Sequence, residues 1–356
     1  MLSKNEILNR KKKFGFANEK FIEMFIWNFE IFKLLSRLSD SFVLKGGTAV
    51  QLYLPVENQR ASIDLDITTP LQEEEIEEIF NRIEFVERYI PKRPVPRLLL
   101  MTYIAKPSSV MDDSVLEVKI DIFYDEHPMI KPKTIKKKKL FALDIDFPVK
   151  IVSKGYLIGD KLLTLATRSV GIPKHRVGEL PKHVYDISKL TYNITKTDLN
   201  DLIYSFKYNL NREKKIKNIK VEDVKVMDDV LSTLDRFSRI DLKDGVIKRR
   251  ILNFQSMYLT NLSRISFSEW ILDAIRLKIL MSLLKGKFRK KLSTKSVFER
   301  YSEVVHGLEE LKKLNRKQRQ EKSKEYLQKI RVPYWKVLKG KPLERIYLEF
   351  KYLEYR

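Results

Sequence analysis

Lys45-Gly46-Gly47-Thr48-Ala49, followed by Arg60-Ala61-Ser62-Ile63-Asp64-Leu65-Asp66, is the stretch that decides how the chain is read. Phe42-Val43-Leu44 ahead of it is a brief apolar strand, and Thr48–Leu54 behind the glycines reads as a short helix stopped by Pro55. A strand, a glycine pair and a helix start leave backbone N–H groups pointing outward at a helix N-terminus, a ready site for the phosphates of a nucleotide. Thr48 adds a hydroxyl donor, and Lys45 stands beside the turn. The segment Ala61–Ile67 alternates as a strand does, with Ser62, Asp64 and Asp66 on one face and Ile63, Leu65 and Ile67 toward a core. Two carboxylates so close on one face repel unless a cation lies between them. An oxygen-loving divalent ion such as Mg²⁺ is the natural partner.

A second strand repeats the device. In Val115–Tyr124, Val118, Ile120 and Ile122 face one side and Glu117, Lys119 and Asp121 the other. Together with Arg97–Ala105, across the turn-rich Lys106–Ser114, it reads as an antiparallel hairpin. Should the two acidic strands be neighbours, Asp121 completes a three-carboxylate cluster with Asp64 and Asp66, enough for two Mg²⁺ ions bridging the phosphates of an NTP. A bare Asp-x-Asp is most often a solvated face and a lone Gly-Gly a plain turn. Their order and closeness point to nucleotide chemistry.

Around this block, Leu71–Arg88 reads as a helix opened by glutamates, Pro91–Pro96 as a stiff connector and Lys131–Lys139 as a basic loop. From Tyr156 the pattern is helical, with helices expected at Asp160–Ser169, Pro181–Leu190, Ser268–Leu284 and Ser296–Lys324. The 356 residues suggest two domains, and 43% hydrophobic residues supply cores for both. Cysteine is absent, which excludes disulfides, thiolate metal sites and cysteine nucleophiles. The histidines, His127, His175, His183 and His306, show no zinc-ligand spacing.

The most apolar stretch, Phe21–Leu38, carries Glu23, Glu30, Lys33 and Arg37, so it reads as an amphipathic helix and no membrane association is expected. The first residues lack the pattern of a signal peptide, and a cytoplasmic location is the expectation. The formal charge of +23 is uneven. Residues 1–190 hold 31 Lys/Arg against 26 Asp/Glu, whereas residues 191–356 hold 39 against 21. A basic surplus of that size favours a polyanionic partner, most simply nucleic acid or nucleotide, and its concentration in the second half is the electrostatic footprint of an RNA binder.

The motifs resemble those of the AbiEii/AbiGii toxin family, within the DNA polymerase beta-like nucleotidyltransferase superfamily. Lys45–Ala49 and Arg60–Asp66 carry the resemblance, and Val118-Lys119-Ile120-Asp121 is similar to the family's Lys-x-Asp strand. Asp160-Lys161-Leu162 through Arg168 resembles its acidic-Lys-Leu helix ending in arginine, and Lys182–Ile187 its basic-Asp-x-Tyr-Asp element. Two departures stand out: Pro55–Gln59 lengthens the gap between the motifs, and His183 occupies a position where the family usually has aspartate. The resemblance covers residues 42–190.

It implies a polymerase beta-like nucleotidyltransferase domain over 1–195 built on a small mixed sheet; beyond it the helical pattern and the basic surplus read as a basic helical domain over 196–356, an α+β fold in all. It also implies that Lys161 and Arg168 contact the triphosphate and that Asp186 positions it. The expected site is therefore Asp64, Asp66, Asp121, Lys161 and Asp186 for catalysis, Asp121 drawing the acceptor proton. Lys45, Gly46, Gly47, Thr48, Ser62, Lys161 and Arg168 bind the nucleotide. The implied acceptor is the 3′ end of tRNA, the outcome growth arrest, and the partner a cognate antitoxin. The alternatives are a small-molecule acceptor, or an RNA-binding regulator without catalysis.

Overall fold

The computed structural model describes all residues except 1–2, 17, 90–99, 126–130, 242–244 and 331–333, and all described side chains except those of Lys174 and Trp335. The connector Pro91–Pro96, the first residues of the expected strand Arg97–Ala105 and His127 lie outside the described residues. The chain divides into two compact units, Met1–Leu157 with Leu252–Arg264, and Ile158–Ile251 with Ile265–Arg356.

The first unit opens with α1 (Lys4–Phe14), started by a Ser3/Glu6 capping box, and α2 (Glu19–Leu38). The helical repeat of α2 buries Ile22, Phe25, Ile26, Phe29 and Phe32, and Phe25 stacks on Phe141 with ring centroids 5.3 Å apart. The chain continues through β1 (Val43–Lys45), α3 (Gly46–Tyr53), β2 (Leu65–Thr69), α4 (Glu73–Phe80), β3 (Val86–Tyr89), β4 (Leu100–Ala105) and β5 (Val118–Tyr124). The strands β6 (Lys133–Ile135), β7 (Lys138–Lys139), β8 (Asp144–Ile145) and β9 (Val149–Ile151) complete it. Seven strands form one mixed sheet in the order β3-β4-β5-β2-β1-β9-β6, and β7 pairs with β8 apart from it. The pairs β2/β5 and β1/β9 are parallel and the others antiparallel. The expected hairpin is therefore present as β4/β5, and the two acidic strands are neighbours.

Several local expectations change. The strand starts at Leu65, not Ala61, because the backbone before it is engaged elsewhere: Arg60 bridges Leu259, and the Ala61 N–H donates to the Tyr258 carbonyl at 2.8 Å. The glutamate-rich helix ends at Phe80 instead of reaching Arg88, since Val86–Tyr89 pairs with β4. Phe80 closes that helix against the core by stacking on Tyr103 at 4.1 Å. Part of the basic segment Lys131–Lys139 is strand, not loop, because Lys133–Ile135 adds to β9.

The second unit is helical. It holds the C-terminal part of α5 (Lys154–Thr164), then α6 (Leu180–Thr191), α7 (Lys196–Lys217), α8 (Asp223–Ser238) and α9 (Gly245–Tyr258), whose end belongs to the first unit. There follow α10 (Phe267–Phe288), α11 (Thr294–Lys313), α12 (Arg316–Lys329), α13 (Tyr334–Leu338) and α14 (Leu343–Tyr355). The single long helix expected over Ser296–Lys324 is two, because Asn315 forms a capping box with Gln318 and restarts the helix as α12. Helix α10 is buried almost all round and packs against α6, α8, α11 and α14. Its buried Arg276 donates to Tyr301 Oη at 2.7 Å, the Ser188 carbonyl at 2.7 Å, Thr191 Oγ1 at 3.1 Å and Asp273 Oδ1 at 2.9 Å. Burial would raise the Asp273 pKa, but Lys189 and Arg276 outweigh it and hold the carboxyl below its ordinary range. The network locks α6 to α10. Among the described residues no helix is long and apolar enough to cross a membrane.

Candidate active site

Strand register assembles the centre of the first unit. Lys45 on β1 lies opposite Asp66 on β2, Asp66 beside Asp121 on β5, and Asp121 opposite Thr102 on β4. Residues in register on adjacent strands share a face and lie about 4.8 Å apart. Four polar side chains thus cross four strands in one row. The flanking positions Leu65, Ile67, Ile120 and Ile122 are buried, which fixes the face on which the carboxylates stand.

The Asp121 carboxylate is held at both oxygens. Thr102 Oγ1 donates to Oδ1 at 2.7 Å, and the Lys119 ammonium pairs with Oδ2. Lys45 is buried, with its ammonium 4.1 Å from the centre of the Phe123 ring and 5.9 Å from that of Tyr156. Asp64 precedes β2 in a bend and is half-buried, as is Asp66. Among the described residues no three acidic or histidine side chains are already drawn around one point.

The glycine turn closes on this row. Gly46 begins α3 with φ +68°, a backbone that favours glycine, and a Cβ there would overlap the Asp66 carboxylate. At Gly47 a Cβ would lie 2.5 Å from Ser62 Oγ and 2.9 Å from Arg60 Nη2. Both glycines are needed for close approach, Gly46 also for its dihedral. Thr48 is buried and donates its hydroxyl to the Asp64 carbonyl at 3.0 Å, so it ties the helix start to the metal-ligand candidate.

Sequence reasoning missed the support beneath this arrangement. Asn28, buried on α2, donates to the Ser62 carbonyl at 2.7 Å, to Thr48 Oγ1 at 3.2 Å and to the Asp64 carbonyl at 3.3 Å. Its signal was a lone polar residue on the apolar face between Phe25 and Phe32. Gln51 donates to the Gly47 carbonyl at 2.9 Å and accepts from the Arg60 N–H at 2.8 Å, so a side chain of α3 sets where the second motif begins.

The remaining site candidates lie in the second unit. Lys161 pairs with Asp186 at 2.9 Å, and both side chains are almost fully buried. Lys182 pairs with Glu179 at 2.6 Å. The helix expected over Asp160–Ser169 does not reach Arg168, because α5 ends at Thr164. Arg168 is exposed on the turn beyond, its N–H donating to Asp229 Oδ2 at 2.7 Å. Removing one partner of a buried ion pair costs on the order of 3–5 kcal/mol. Lys161→Met is therefore expected to lower unfolding stability by about that amount, and Lys161→Met/Asp186→Leu to recover much of it. Chemical denaturation of the four proteins of that cycle checks this; a stable Lys161→Met protein would mean that the pair does not hold the fold.

No curated protein matches the chain. Among solved structures, JHP933 from Helicobacter pylori is 16% identical with a TM-score of 0.38, covering 82% of this chain and 99% of its own. A protein of H. pylori described as a candidate nucleotidyltransferase is also 16% identical, with a TM-score of 0.37 and coverage of 75% and 97%. The family model for the nucleotidyl transferase AbiEii toxin of type IV toxin–antitoxin systems matches residues 33–271, a span that holds the glycine turn, both acidic strands and the Lys161–Asp186 pair. The chain belongs to the AbiEii family of nucleotidyltransferase toxins.

Proposed function

We propose that the protein transfers a nucleoside monophosphate from an NTP to a hydroxyl of RNA, with the 3′ end of tRNA as the acceptor, and that this arrests growth unless a cognate antitoxin intervenes. The observation that carries the reading is the in-register pair Asp66 and Asp121 beside the Gly46 turn. Such a donor set fits a hard divalent cation: it is all carboxylate oxygen, and Mg²⁺ characteristically takes one or two carboxylates and completes its shell with water and substrate phosphates. Asp64, Asp66 and Asp121 would hold two Mg²⁺ ions. When bound, the ions neutralise charge that builds on the phosphates.

The protein's own groups do the rest. The N–H groups of Gly46, Gly47 and Thr48 and the Ser62 hydroxyl receive the triphosphate, with Lys45 supplying positive charge beside it. The acceptor oxygen forms a bond to the α-phosphorus as the bond to the bridging oxygen breaks, and pyrophosphate leaves with the electron pair. The acceptor proton would pass to Asp121, whose Oδ1 the Thr102 hydroxyl keeps in place. Within the second unit, Asp186 would orient Lys161 through their ion pair.

Residues 1–195 form the nucleotidyltransferase domain in this reading, and the basic helices of 196–356 dock the RNA. NTP and RNA as substrates assign the reaction to the cytoplasm. Incubation with each α-labelled NTP, total RNA and either Mg²⁺ or EDTA tests the acceptor and the metal together. Label on RNA only with Mg²⁺ is the expected result. A labelled small product would favour a small-molecule acceptor, and no labelled product would favour a non-catalytic regulator.

A further inference from the structure

The second unit contains a cavity of about 530 Å³ walled by α8, α10, α11, α13, α14 and the turn after α10. Its three acidic side chains are already neutralised. Asp228 pairs with Lys285, Asp235 with Lys278 at 2.8 Å and Arg239 at 3.0 Å, and Glu354 with Lys351 at 3.0 Å. Three cations that line it, Arg289 and Lys291 on the turn after α10 and Arg300 on α11, make no ion pair with any described residue. The cavity therefore carries surplus positive charge that the fold does not consume.

Local structure aims that charge. The N–H of Arg289 donates to the Lys285 carbonyl at 3.0 Å, and those of Lys291 and Leu292 return to the Gly286 carbonyl at 2.9 and 3.3 Å. Lys290 takes φ +59°, which turns the chain back so that Arg289 and Lys291 both line the cavity. Gly286 packs directly on Leu292, where a Cβ would lie 2.8 Å from Cδ1. Of the cationic run Lys285–Lys291, only Lys285, Arg289 and Lys291 reach this wall, and Lys285 is engaged with Asp228.

Aromatic rings interleave with the cations. Tyr334, Tyr352 and Tyr355 line the same space, and the Arg300 guanidinium lies 5.5 Å from the centre of the Tyr355 ring. Burial raises the pKa of each of these phenols, so the rings stay neutral. Cations without an ion-pair partner beside aromatic rings suit a ligand that combines phosphate with a flat ring, one that takes over the contact Arg300 now makes with Tyr355, and the volume lies within the range of small-ligand sites. An acidic peptide would answer the charge and leave the rings unused.

We infer that this cavity binds a phosphorylated nucleoside unit of a single RNA strand, a site separate from the carboxylate row of the first unit. The inference rests on the reading that the acceptor is RNA. The test is binding of a labelled oligouridylate of about twelve nucleotides to the full-length protein, followed by fluorescence anisotropy at several salt concentrations without NTP or divalent ion. Arg289→Gln/Lys291→Gln/Arg300→Gln should weaken binding at least about tenfold and flatten the slope of log affinity against log salt by about 0.7 per lost phosphate contact. Tyr355→Leu should weaken binding about five- to hundredfold and leave the slope alone, as loss of stacking does. Arg316→Gln/Lys317→Gln/Lys324→Gln, on exposed positions of α12, removes the same charge elsewhere on the basic helices and should weaken binding clearly less than the cavity variant.

Parent-like binding by the cavity variants, or an equal loss in the α12 variant, overturns the assignment. So does loss of UMP binding with the oligonucleotide unaffected, which would make the site one for free nucleotides. Transfer is read separately. If RNA is labelled by parent and cavity variants bind normally, the cavity proposal alone fails; if the cavity variants lose RNA and no acceptor is ever labelled, nucleotidyl transfer alone fails.

Discussion

Asp66→Asn and Asp121→Asn are each expected to reduce nucleotidyl transfer by about a thousandfold or more, since a metal ligand supplies several kcal/mol of transition-state stabilisation. The amide keeps the shape of the carboxylate and removes the charge that attracts the cation. Asp121→Asn retains a carbonyl oxygen for the Thr102 hydroxyl and gives up only its pairing with Lys119, itself half-exposed. A surface pair of that kind is worth roughly 0–1 kcal/mol, so the melting temperature should move by no more than a few degrees. Steady-state assays with increasing Mg²⁺ on folded variants check this. A variant at either position that keeps near-normal Mg²⁺-dependent turnover removes the carboxylate row from the mechanism.

Gly46→Ala should be nearly as damaging, for a different reason. A left-handed backbone at a residue with a side chain costs on the order of 1–3 kcal/mol, and here the added methyl also overlaps the Asp66 carboxylate. Either the turn opens or Asp66 leaves the row, and both outcomes spoil the site. Gly47→Val is expected to act more weakly and mainly on the Michaelis constant for NTP. Its clash is with Ser62 Oγ and the end of the Arg60 side chain, groups that can shift, and its backbone needs no left-handed angle. Kinetics of the two variants beside their thermal stabilities give the order. If Gly46→Ala is active and Gly47→Val is not, the phosphates rest on the second glycine and Asp66 is not positioned by the first.

The parts legible in the sequence were those written in local pattern. Alternation along Val118–Tyr124 gave that strand its faces, and the glycine pair marked a helix start, expected at Thr48 and found two residues earlier, at Gly46. The β4/β5 hairpin followed from two strand-like runs around a turn. What stayed hidden depends on distant partners. Nothing in Ala61–Asp64 says that its backbone is taken up by Tyr258 and Leu259, nearly two hundred residues on, so the strand looked longer than it is. Val86–Tyr89 resembled the end of a helix until β4 supplied a neighbour for it to pair with. Asn28 looked like an ordinary member of an amphipathic helix, because its three acceptors come from elements that follow it in the chain. Lys161 and Arg168 fall within a run, Asp160–Ser169, that reads as one helix. Only the packing that ends α5 at Thr164 separates them.

The most direct test of nucleotidyl transfer at this site follows the two ends of the triphosphate. The protein is incubated with RNA, Mg²⁺ and an NTP labelled in parallel reactions at the α- or the γ-phosphate, with Asp66→Asn alongside. The account predicts α-label on the RNA 3′ end, γ-label released as pyrophosphate, and neither product from Asp66→Asn. Appearance of γ-label on the acceptor, or undiminished α-labelling by Asp66→Asn, would contradict it.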